Sequence, residues 1–427
     1  MPVRRPYDLL AAIALAATIF GIARPVPAED IRWEFSAQVR PRLEIRDGYR
    51  RPLMRDEGPV LLLSQRTRLG IRCIVNPQVT AFVQFQDART WGDEGSQAWG
   101  TRSSVALLDT YRAFIELRWR HWSLRCGRQE LTCEEERIMG SSDWLQQARA
   151  HDAICLQWQR GHWTGQTAWA HNESGQPLTS DYSIYIENGN WDYKSLAMWW
   201  ISHQTRRWKE SFFLLYDHDW EMRDMLGYTS RFSFGPRFES ALERFGLRLE
   251  AHWQLGRLKR STWYYPGPSI ADTLDVNAFM VASSVTYDLG AVKLGLWYDY
   301  LSGNRSDSSA YRAFDAPYPS NHEFYGWADY FEDIPNDTRQ RGLQDLALKI
   351  TIRNIGPVSG QCDLHYFWFA QPDEKRDKAL GMEIDIGATF PLMKSVALSA
   401  GYAHVVPTEA LKREGRRDRG ELVLFDA

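Results

Sequence analysis

Polar and apolar residues alternate along most of this chain, and the alternation starts near its beginning. Within 31–46, the odd positions carry apolar or small residues such as Trp33, Phe35, Ala37 and Val39, while the even positions are polar. A period of two is that of a β-strand with one apolar and one polar face. The pattern recurs to the end of the chain, and no apolar run is long enough for a membrane-spanning helix.

The alternation predicts about eighteen strands. Their bounds come from the apolar phase and from turn residues between the segments. The predicted strands are 31–46, 61–74, 79–88, 104–119, 121–128, 151–160, 163–171, 194–202, 210–217, 229–238, 245–256, 275–287, 290–301, 343–353, 358–369, 380–390, 395–405 and 419–426. The segment 181–188 is assigned to a loop, and Pro41 predicts a bulge or break in the first strand because proline removes a ladder donor.

The connections between these strands alternate between long and short. Long segments such as 47–60 and 302–342 follow odd-numbered strands, whereas tight turns such as 288–289 and 354–357 follow even-numbered ones. Bacterial outer-membrane barrels have short periplasmic turns and long extracellular loops. The predicted fold is therefore all-β: a transmembrane antiparallel up-and-down β-barrel of about 18 strands with both termini on the periplasmic side.

Residues 1–28 have the pattern of a secretory signal peptide. Arg4 and Arg5 precede an apolar stretch at 9–22, and a small-residue cleavage site follows. The stretch is short for a retained anchor. We predict cleavage that leaves one barrel domain, 29–427, in the outer membrane of a Gram-negative bacterium. The first strand follows almost at once, so we expect no N-terminal plug and a passive channel.

Composition is compatible with this fold. The formal net charge is −3 and the mean hydropathy is −0.46, which argues against a helical membrane protein but suits a barrel with polar loops and a polar inner face. Trp, Tyr and Phe each occur 19 times, as expected of aromatic girdles. The five cysteines are odd in number and lack metal-ligand spacing, so they predict no disulfide framework, metal site or cofactor.

The polar phase of the strands predicts which side chains line the pore. Most are arginines, with carboxylates between them: Arg40, Arg42, Arg66, Arg68, Arg72, Arg112, Glu116, Arg118, Arg125, Arg231, Arg237, Arg248, Glu250, Asp345, Lys349, Arg353, Glu383 and Asp385. Guanidinium groups bind carboxylates in a planar two-pronged geometry, and rings of arginine select anions in pores. The residues therefore predict a conduit for anionic solutes. The alternative is that arginine–carboxylate pairs across strands only brace the wall.

The sequence offers no catalytic constellation. The histidines at 171, 218 and 322 have no spacing that builds a triad. The run Glu134–Glu135–Glu136 is interpreted as a solvated segment rather than as paired acid and base carboxylates. We therefore expect a protein that is not an enzyme and that has no cofactor and no bound metal.

Several short segments, in order along 60–405, resemble the alginate-export porin family of bacterial outer membranes. They are 66–70, 86–92, 127–131, 136–152, 298–304, 314–330, 381–385 and 401–402. The resemblance implies a monomeric 18-stranded barrel with an arginine-rich lumen, which passes anionic polysaccharide by facilitated diffusion. The expected partners are outer-membrane lipid and lipopolysaccharide, an acidic poly- or oligosaccharide as solute, the barrel-assembly machinery and periplasmic polysaccharide-handling proteins, with no nucleic acid.

Three other functions stay open from the sequence. One is a general porin of low selectivity, and another, of a different class, is a secreted soluble β-protein that binds or acts on glycans. The third is a barrel enzyme of the outer membrane, which would hydrolyse generic ester or peptide substrates. We further hypothesise that one of the long loops, 302–342 or 129–150, folds over or into the mouth as a gate. Deletion of 305–340 should then raise the single-channel conductance.

Overall fold

The computed structural model describes residues 31–50, 58–92, 108–172, 193–219, 228–259, 273–305, 309–372, 377–412 and 420–426. The predicted signal peptide, 1–28, and the segment 181–188 lie outside these residues. No helix among the described residues is long and apolar enough to cross a membrane.

Eighteen strands account for most of the described chain. In order they are β1 (Arg32–Asp47), β2 (Val60–Asn76), β3 (Val79–Thr90), β4 (Asp109–Trp119), β5 (Trp122–Gln129), β6 (His151–Arg160), β7 (Trp163–His171), β8 (Tyr193–Gln204), β9 (Trp208–Asp219), β10 (Tyr228–Leu242), β11 (Phe245–Lys259), β12 (Thr273–Asp288), β13 (Val292–Leu301), β14 (Leu343–Ile355), β15 (Val358–Phe369), β16 (Ala379–Met393), β17 (Val396–Pro407) and β18 (Gly420–Asp426). A single-turn helix, α1 (Glu409–Lys412), lies between the last two strands.

The strands close into a barrel. Each strand pairs antiparallel with the next one along the chain, and β1 pairs with both β2 and β18. The connections alternate as predicted, because two- or three-residue turns join β2 to β3, β4 to β5 and each later even strand to its successor. The predicted eighteen-stranded up-and-down barrel is confirmed; the fourth strand begins at Asp109, later than predicted.

The bulge predicted at Pro41 was wrong. The register of β1 on β2 runs without a shift from Arg40 opposite Arg66, through Pro41 opposite Gln65, to Arg42 opposite Ser64. Within the described residues, the pairing of β1 with β18 begins only at Arg42. Pro41 therefore lies at the edge of that pairing, where proline is tolerated.

The two faces of the wall differ in exposure, and the apolar face is the exposed one. Phe35 is 77% exposed and Trp33 57%, whereas Arg66 is 1% and Asp385 0% exposed. A soluble sheet would bury its apolar side chains. The inverted arrangement is that of a barrel whose outer face meets lipid.

Two long loops fold into the barrel. Loop L3 (130–150) connects β5 to β6, and loop L7 (302–342, of which 306–308 is not described) connects β13 to β14. They form a hydrophobic core with the inward faces of β6–β9, where small and apolar side chains replace the polar phase seen on β1 and β2. The buried members of this core include Leu131, Met139, Cys155, Ala168, Leu196, Met198, Leu215, Phe314 and Phe331.

Candidate solute pathway

The contacts of loop L3 with distant strands show which face of the wall is the inner one. Its Asp143 contacts Arg66 of β2, its Glu134 contacts Lys209 of β9, and its Arg137 contacts Asp299 of β13. A loop of this length can touch such distant strands of a closed wall only from within. The face that carries the predicted pore residues is therefore the inner face.

The carboxylate of Asp143 lies among three arginines of β1 and β2. Its oxygens are 2.8 Å from Nη1 of Arg66, 3.1 Å from Nη1 of Arg68 and 3.7 Å from Nη1 of Arg40. The register explains this convergence, because Arg40 lies directly opposite Arg66 and Arg68 lies two residues further along the same face. The sequence thus builds a carboxylate-binding group from alternate positions on two paired strands.

Neighbouring positive charges, rather than burial, determine the direction in which the pKa of the Asp143 carboxyl is shifted. Burial alone raises the pKa of its carboxyl, but the hydrogen bond from Arg66 and the charges of Arg66, Arg68 and Arg40 outweigh it and hold the pKa below its usual range. Among the described residues, Nε of Arg66 and Nη2 of Arg68 have no hydrogen-bond partner. Donors therefore remain at this site after Asp143 is bound.

Arg112 extends this basic group onto β4. Its guanidinium donates to the Gln84 side chain at 3.0 Å and forms an ion pair with Glu130 at 3.0 Å. Arg68 lies 3.9 Å from the ring of Tyr111, and Arg42 lies 3.8 Å from the ring of Trp144. We call Arg40, Arg42, Arg66, Arg68 and Arg112 the basic wall.

A second network joins L3 to β10 and β11. Arg237 lies 2.9 Å from Glu135 and 3.3 Å from Glu250, and Arg248 also pairs with Glu135. Burial raises the pKa of Glu135, but the charges of Arg248 and Arg237 lower it by more than burial raises it. The net shift of the pKa is therefore downward. These contacts fix L3 to the wall opposite β1 and β2.

The interpretation of Glu134–Glu135–Glu136 as a solvated run was wrong. Glu134 accepts a hydrogen bond from the Trp200 indole and pairs with Lys209 at 2.7 Å. Glu136 accepts from the Ser320 hydroxyl of L7 at 2.7 Å. Each carboxylate finds a partner because L3 enters the barrel, where unpaired charges would be costly.

The carboxylates of β14–β16 bond to the backbone of L7 or to a histidine or lysine of the wall. Glu383 accepts from the backbone N–H of Ala328 at 2.7 Å, and Asp385 from that of Trp327 at 3.3 Å. Asp345 is 2.8 Å from Nδ1 of His365, and Lys349 is 3.2 Å from Asp363 on the neighbouring strand. The inner face thus carries arginine clusters on β1–β4 and on β10–β11, whereas most of the buried charged groups on β14–β16 are carboxylates.

Arg231 links β10 to L7. Its Nε lies 3.1 Å from Asp217 of β9, and its Nη1 lies 2.5 Å from Asp315 of L7. All of these groups except Asp315 are buried. Here a predicted pore residue is held between two carboxylates, as the bracing interpretation requires.

The remaining predicted residues lie towards the periplasmic ends of their strands. Glu116 pairs with Arg118 at 2.7 Å and with Arg125 at 3.1 Å. Arg72 lies 3.7 Å from Glu34, and Arg353 lies 2.9 Å from Asp288. They do not join the basic wall, and Arg118 is one of the most exposed, at 57%.

Sequence reasoning missed the loop residues that complete these groups, namely Asp143, Arg137 and Asp315. A local signal existed, because charged residues stand beside apolar ones that the loops bury, such as Ile138 and Phe314. No group of histidine, cysteine and acidic residues suited to a metal occurs in the part of the chain that the structure describes.

Solved structures with similar folds are outer-membrane proteins. OccK8 (OprE) of Pseudomonas aeruginosa is 11% identical, with 93% of this chain and 98% of that one covered and a TM-score of 0.58. OccAB4 of Acinetobacter baumannii is 12% identical, with coverages of 94% and 99% and a TM-score of 0.57. OccK11 (OpdR) of P. aeruginosa is 13% identical, with coverages of 93% and 95% and a TM-score of 0.55. These identities establish the fold alone.

The family is identified by comparison of the sequence with family models. No curated protein matches the chain, but the family model described as alginate export matches residues 32–375. This match supports an outer-membrane channel rather than a soluble glycan-binding protein or an enzyme. The chain therefore belongs to the alginate export family and is a passive channel of the Gram-negative outer membrane.

Proposed function

We propose that this channel passes anionic solutes, and in particular acidic poly- or oligosaccharides of the alginate type, by facilitated diffusion along the basic wall. One observation carries the proposal: the Asp143 carboxylate is held by the guanidinium groups of Arg40, Arg66 and Arg68. A carboxylate of a uronate sugar has the same chemistry as this side chain. The guanidinium groups that bind the Asp143 carboxylate can therefore also bind the carboxylate of a uronate.

Exposure supports an exchangeable contact. The Asp143 side chain is 52% exposed, whereas Arg66 is 1% and Arg68 7% exposed at the side chain. The arginines are thus fixed by the wall, while their counter-ion is open to water on a loop. A solute carboxylate can replace Asp143 without moving the strands, and it recovers the charge-assisted hydrogen bonds that Asp143 gives up.

The spacing of the basic wall suits a polyanion. Directly opposed residues on paired strands have Cβ atoms about 5 Å apart, and the basic wall extends over β1, β2 and β4. A saccharide with a carboxylate on each ring can therefore contact one guanidinium while the next carboxylate reaches another. Transfer between neighbouring arginines keeps each contact weak enough to release, as conduction requires.

A second candidate function is a porin of low selectivity whose charges brace the wall. It is favoured by Arg231, which is held between Asp217 and Asp315, and by the carboxylates of β14–β16. In that case removal of arginines from the basic wall changes stability but not ion selectivity.

Planar-bilayer recording of the refolded chain tests the proposal. We expect a reversal potential under a salt gradient that reports anion preference, together with current block by short oligouronates. Arg66→Gln combined with Arg68→Gln should reduce both effects, whereas Arg207→Gln, in an exposed periplasmic turn, should leave them unchanged. A pore without anion preference that ignores oligouronates would support the general porin instead.

The proposal also includes the path to the membrane. Residues 1–28 act as a cleaved leader, the barrel-assembly machinery inserts 29–427, and periplasmic polysaccharide-handling proteins supply the solute. Mass spectrometry of the protein from outer-membrane fractions tests the cleavage site, because a mature N-terminus at Glu29 is expected.

A further inference from the structure

A cavity of about 580 Å³ opens at the periplasmic end of the barrel, away from the basic wall and from L7. It lies against β4–β8, beside the turns that join β4 to β5 and β6 to β7. The solute proposal above assigns no role to this part of the wall.

Five side chains form one row across this part of the wall. Arg118 lies opposite Ser123, Ser123 opposite Gln157, Gln157 opposite Gln166, and Gln166 opposite Trp200. All five line the cavity. We call them the mouth row. Adjacent strands are about 4.8 Å apart, so consecutive members are separated by roughly the length of one sugar ring.

The chemistry of the mouth row changes along its length. One end carries the Arg118 guanidinium, and Arg120 and His121 of the adjoining turn also line the cavity. The middle carries a hydroxyl and two amides, whose mutual contacts are long: 3.5 Å from Ser123 to Gln157 and 3.4 Å from Gln157 to Gln166. These groups can therefore exchange their weak mutual bonds for stronger ones to a ligand.

The other end of the mouth row is a fixed aromatic ring. The Trp200 indole donates to Glu134 of L3 at 2.5 Å, and Lys209 lies 5.8 Å from the ring. A tryptophan whose N–H is already bonded presents a rigid apolar face at little entropic cost. Apolar C–H faces of pyranose rings pack on such a surface, while amides bind the hydroxyls at the ring edge.

We propose that the mouth row is a saccharide-binding subsite at the periplasmic entrance. It binds one end of an acidic oligosaccharide, with a ring on Trp200, hydroxyls on Gln157 and Gln166, and a carboxylate at Arg118. The ligand class rests on the function proposed above, whereas the site rests on different residues. Its role is to capture a chain end before the solute reaches the basic wall.

Titration calorimetry of the detergent-solubilised full chain tests this subsite. The probes are a uronic-acid tetramer and a neutral glucose tetramer. Because the double variant Gln157→Ala/Gln166→Ala loses two hydrogen bonds to the sugar, its Kd for the uronate should rise by at least about tenfold. Gln361→Ala, an amide on the opposite wall, should change it less than about twofold.

Two further variants separate the parts of the mouth row. Trp200→Leu and Trp200→Phe both lose the bond to Glu134, so a larger loss of affinity in the leucine variant isolates the aromatic face. Arg118→Gln should weaken binding of the uronate and leave any binding of the neutral tetramer unchanged. Gel mobility of unheated samples, which differs between folded and unfolded barrels, verifies the fold of every variant.

The outcomes distinguish this proposal from the previous one. Unchanged uronate affinity in the Gln157/Gln166 and Trp200 variants of an anion-selective channel would overturn the subsite alone. Equal affinity for both tetramers would overturn the acidic ligand class. A wild-type chain without anion preference would overturn the function proposed above; if the mouth row still bound the uronate, the subsite would stand without it.

Discussion

The indole of Trp144 in L3 stacks on the imidazole of His322 in L7, with ring centroids 3.6 Å apart and planes 9° from parallel. Arg42 of β1 lies 3.8 Å from the centre of the same Trp144 ring, and Asp329 lies 2.6 Å from Nδ1 of His322. This column joins the wall, L3 and L7. Since L3 also pairs with L7 between Met139 and Tyr318, the two loops behave as one unit against β1.

Removal of the Trp144 ring should loosen that unit. Trp144→Ala loses an aromatic stack and a cation–π contact, which together contribute about 1–2.5 kcal/mol. We expect higher single-channel conductance with more current noise, and faster tryptic cleavage within L3. Trp91→Ala is the matched control, because Trp91 is 53% exposed. Equal conductance in the two variants would show that the column does not restrain the loops.

Acid should release L3 from the basic wall. The pKa of Asp143 is lowered in the fold, so its ion pairs stabilise the loop above the ordinary aspartate pKa of about 3.9 and are lost as pH falls through the lowered value. We therefore expect conductance to rise upon acidification below about pH 3.9. Glu135 has a pKa shifted in the same direction, so its pairs add to the effect.

Asp143→Asn isolates the contribution of one carboxylate. It should show higher conductance and stronger anion preference at neutral pH, because three guanidinium groups lose their counter-ion, and its response to acid should be smaller than that of the wild type. Asp152→Asn, which removes an exposed ion pair with Arg128, serves as the control. An acid response of wild-type size in Asp143→Asn would contradict the role of Asp143.

The wall of this barrel could be predicted from the sequence, because a strand with one lipid face must alternate. That constraint located all eighteen strands and placed Arg40, Arg66 and Arg68 on one face. On β6–β9 the alternation did not show which face points into the barrel. Ala168 and Met198 face inward there, and apolar residues also face outward. Periodicity cannot distinguish a lipid face from a face buried by a loop.

The path of the loops could not be predicted from the sequence. The contacts that loop residues make in the candidate site could therefore not be predicted either. Asp143 reaches Arg66 over 77 residues of sequence, and Glu136 reaches Ser320 over 184. Such contacts depend on three-dimensional closure rather than on any local period. The pairs within the mouth row likewise depend on strand register, which was not predicted from the sequence and is given by the structure.

Gly235 should be essential for the pairing of β10 with β11. A Cβ at this position would lie 1.7 Å from the carbonyl oxygen of Ala251, so Gly235→Ala must separate the two strands. We expect a loss of about 1–3 kcal/mol, as for other overpacked sites, measured by urea unfolding followed through gel mobility. Gly58→Ala, with no atom within 4 Å of the new Cβ, should be neutral; equal midpoints would contradict the close approach.

Arg137 should be the strongest single attachment of L3. It is buried, it pairs with Asp299 at 2.5 Å and Glu250 at 3.7 Å, and it lies 4.0 Å from the Phe324 ring of L7. Burial lowers the pKa of its guanidinium, but the charges of these carboxylates outweigh burial and raise it. Arg137→Met leaves the buried Asp299 carboxylate without its ion-pair partner and should cost about 3–5 kcal/mol.

A double-mutant cycle tests whether that cost belongs to the pair. Asp299→Asn removes the charge that Arg137→Met leaves uncompensated, so the combined variant should unfold at a higher urea concentration than Arg137→Met alone. Arg128→Met removes an exposed pair and should cost less than about 1 kcal/mol. Additive losses in the cycle would mean that Arg137 stabilises L3 through packing on Phe324 rather than through charge.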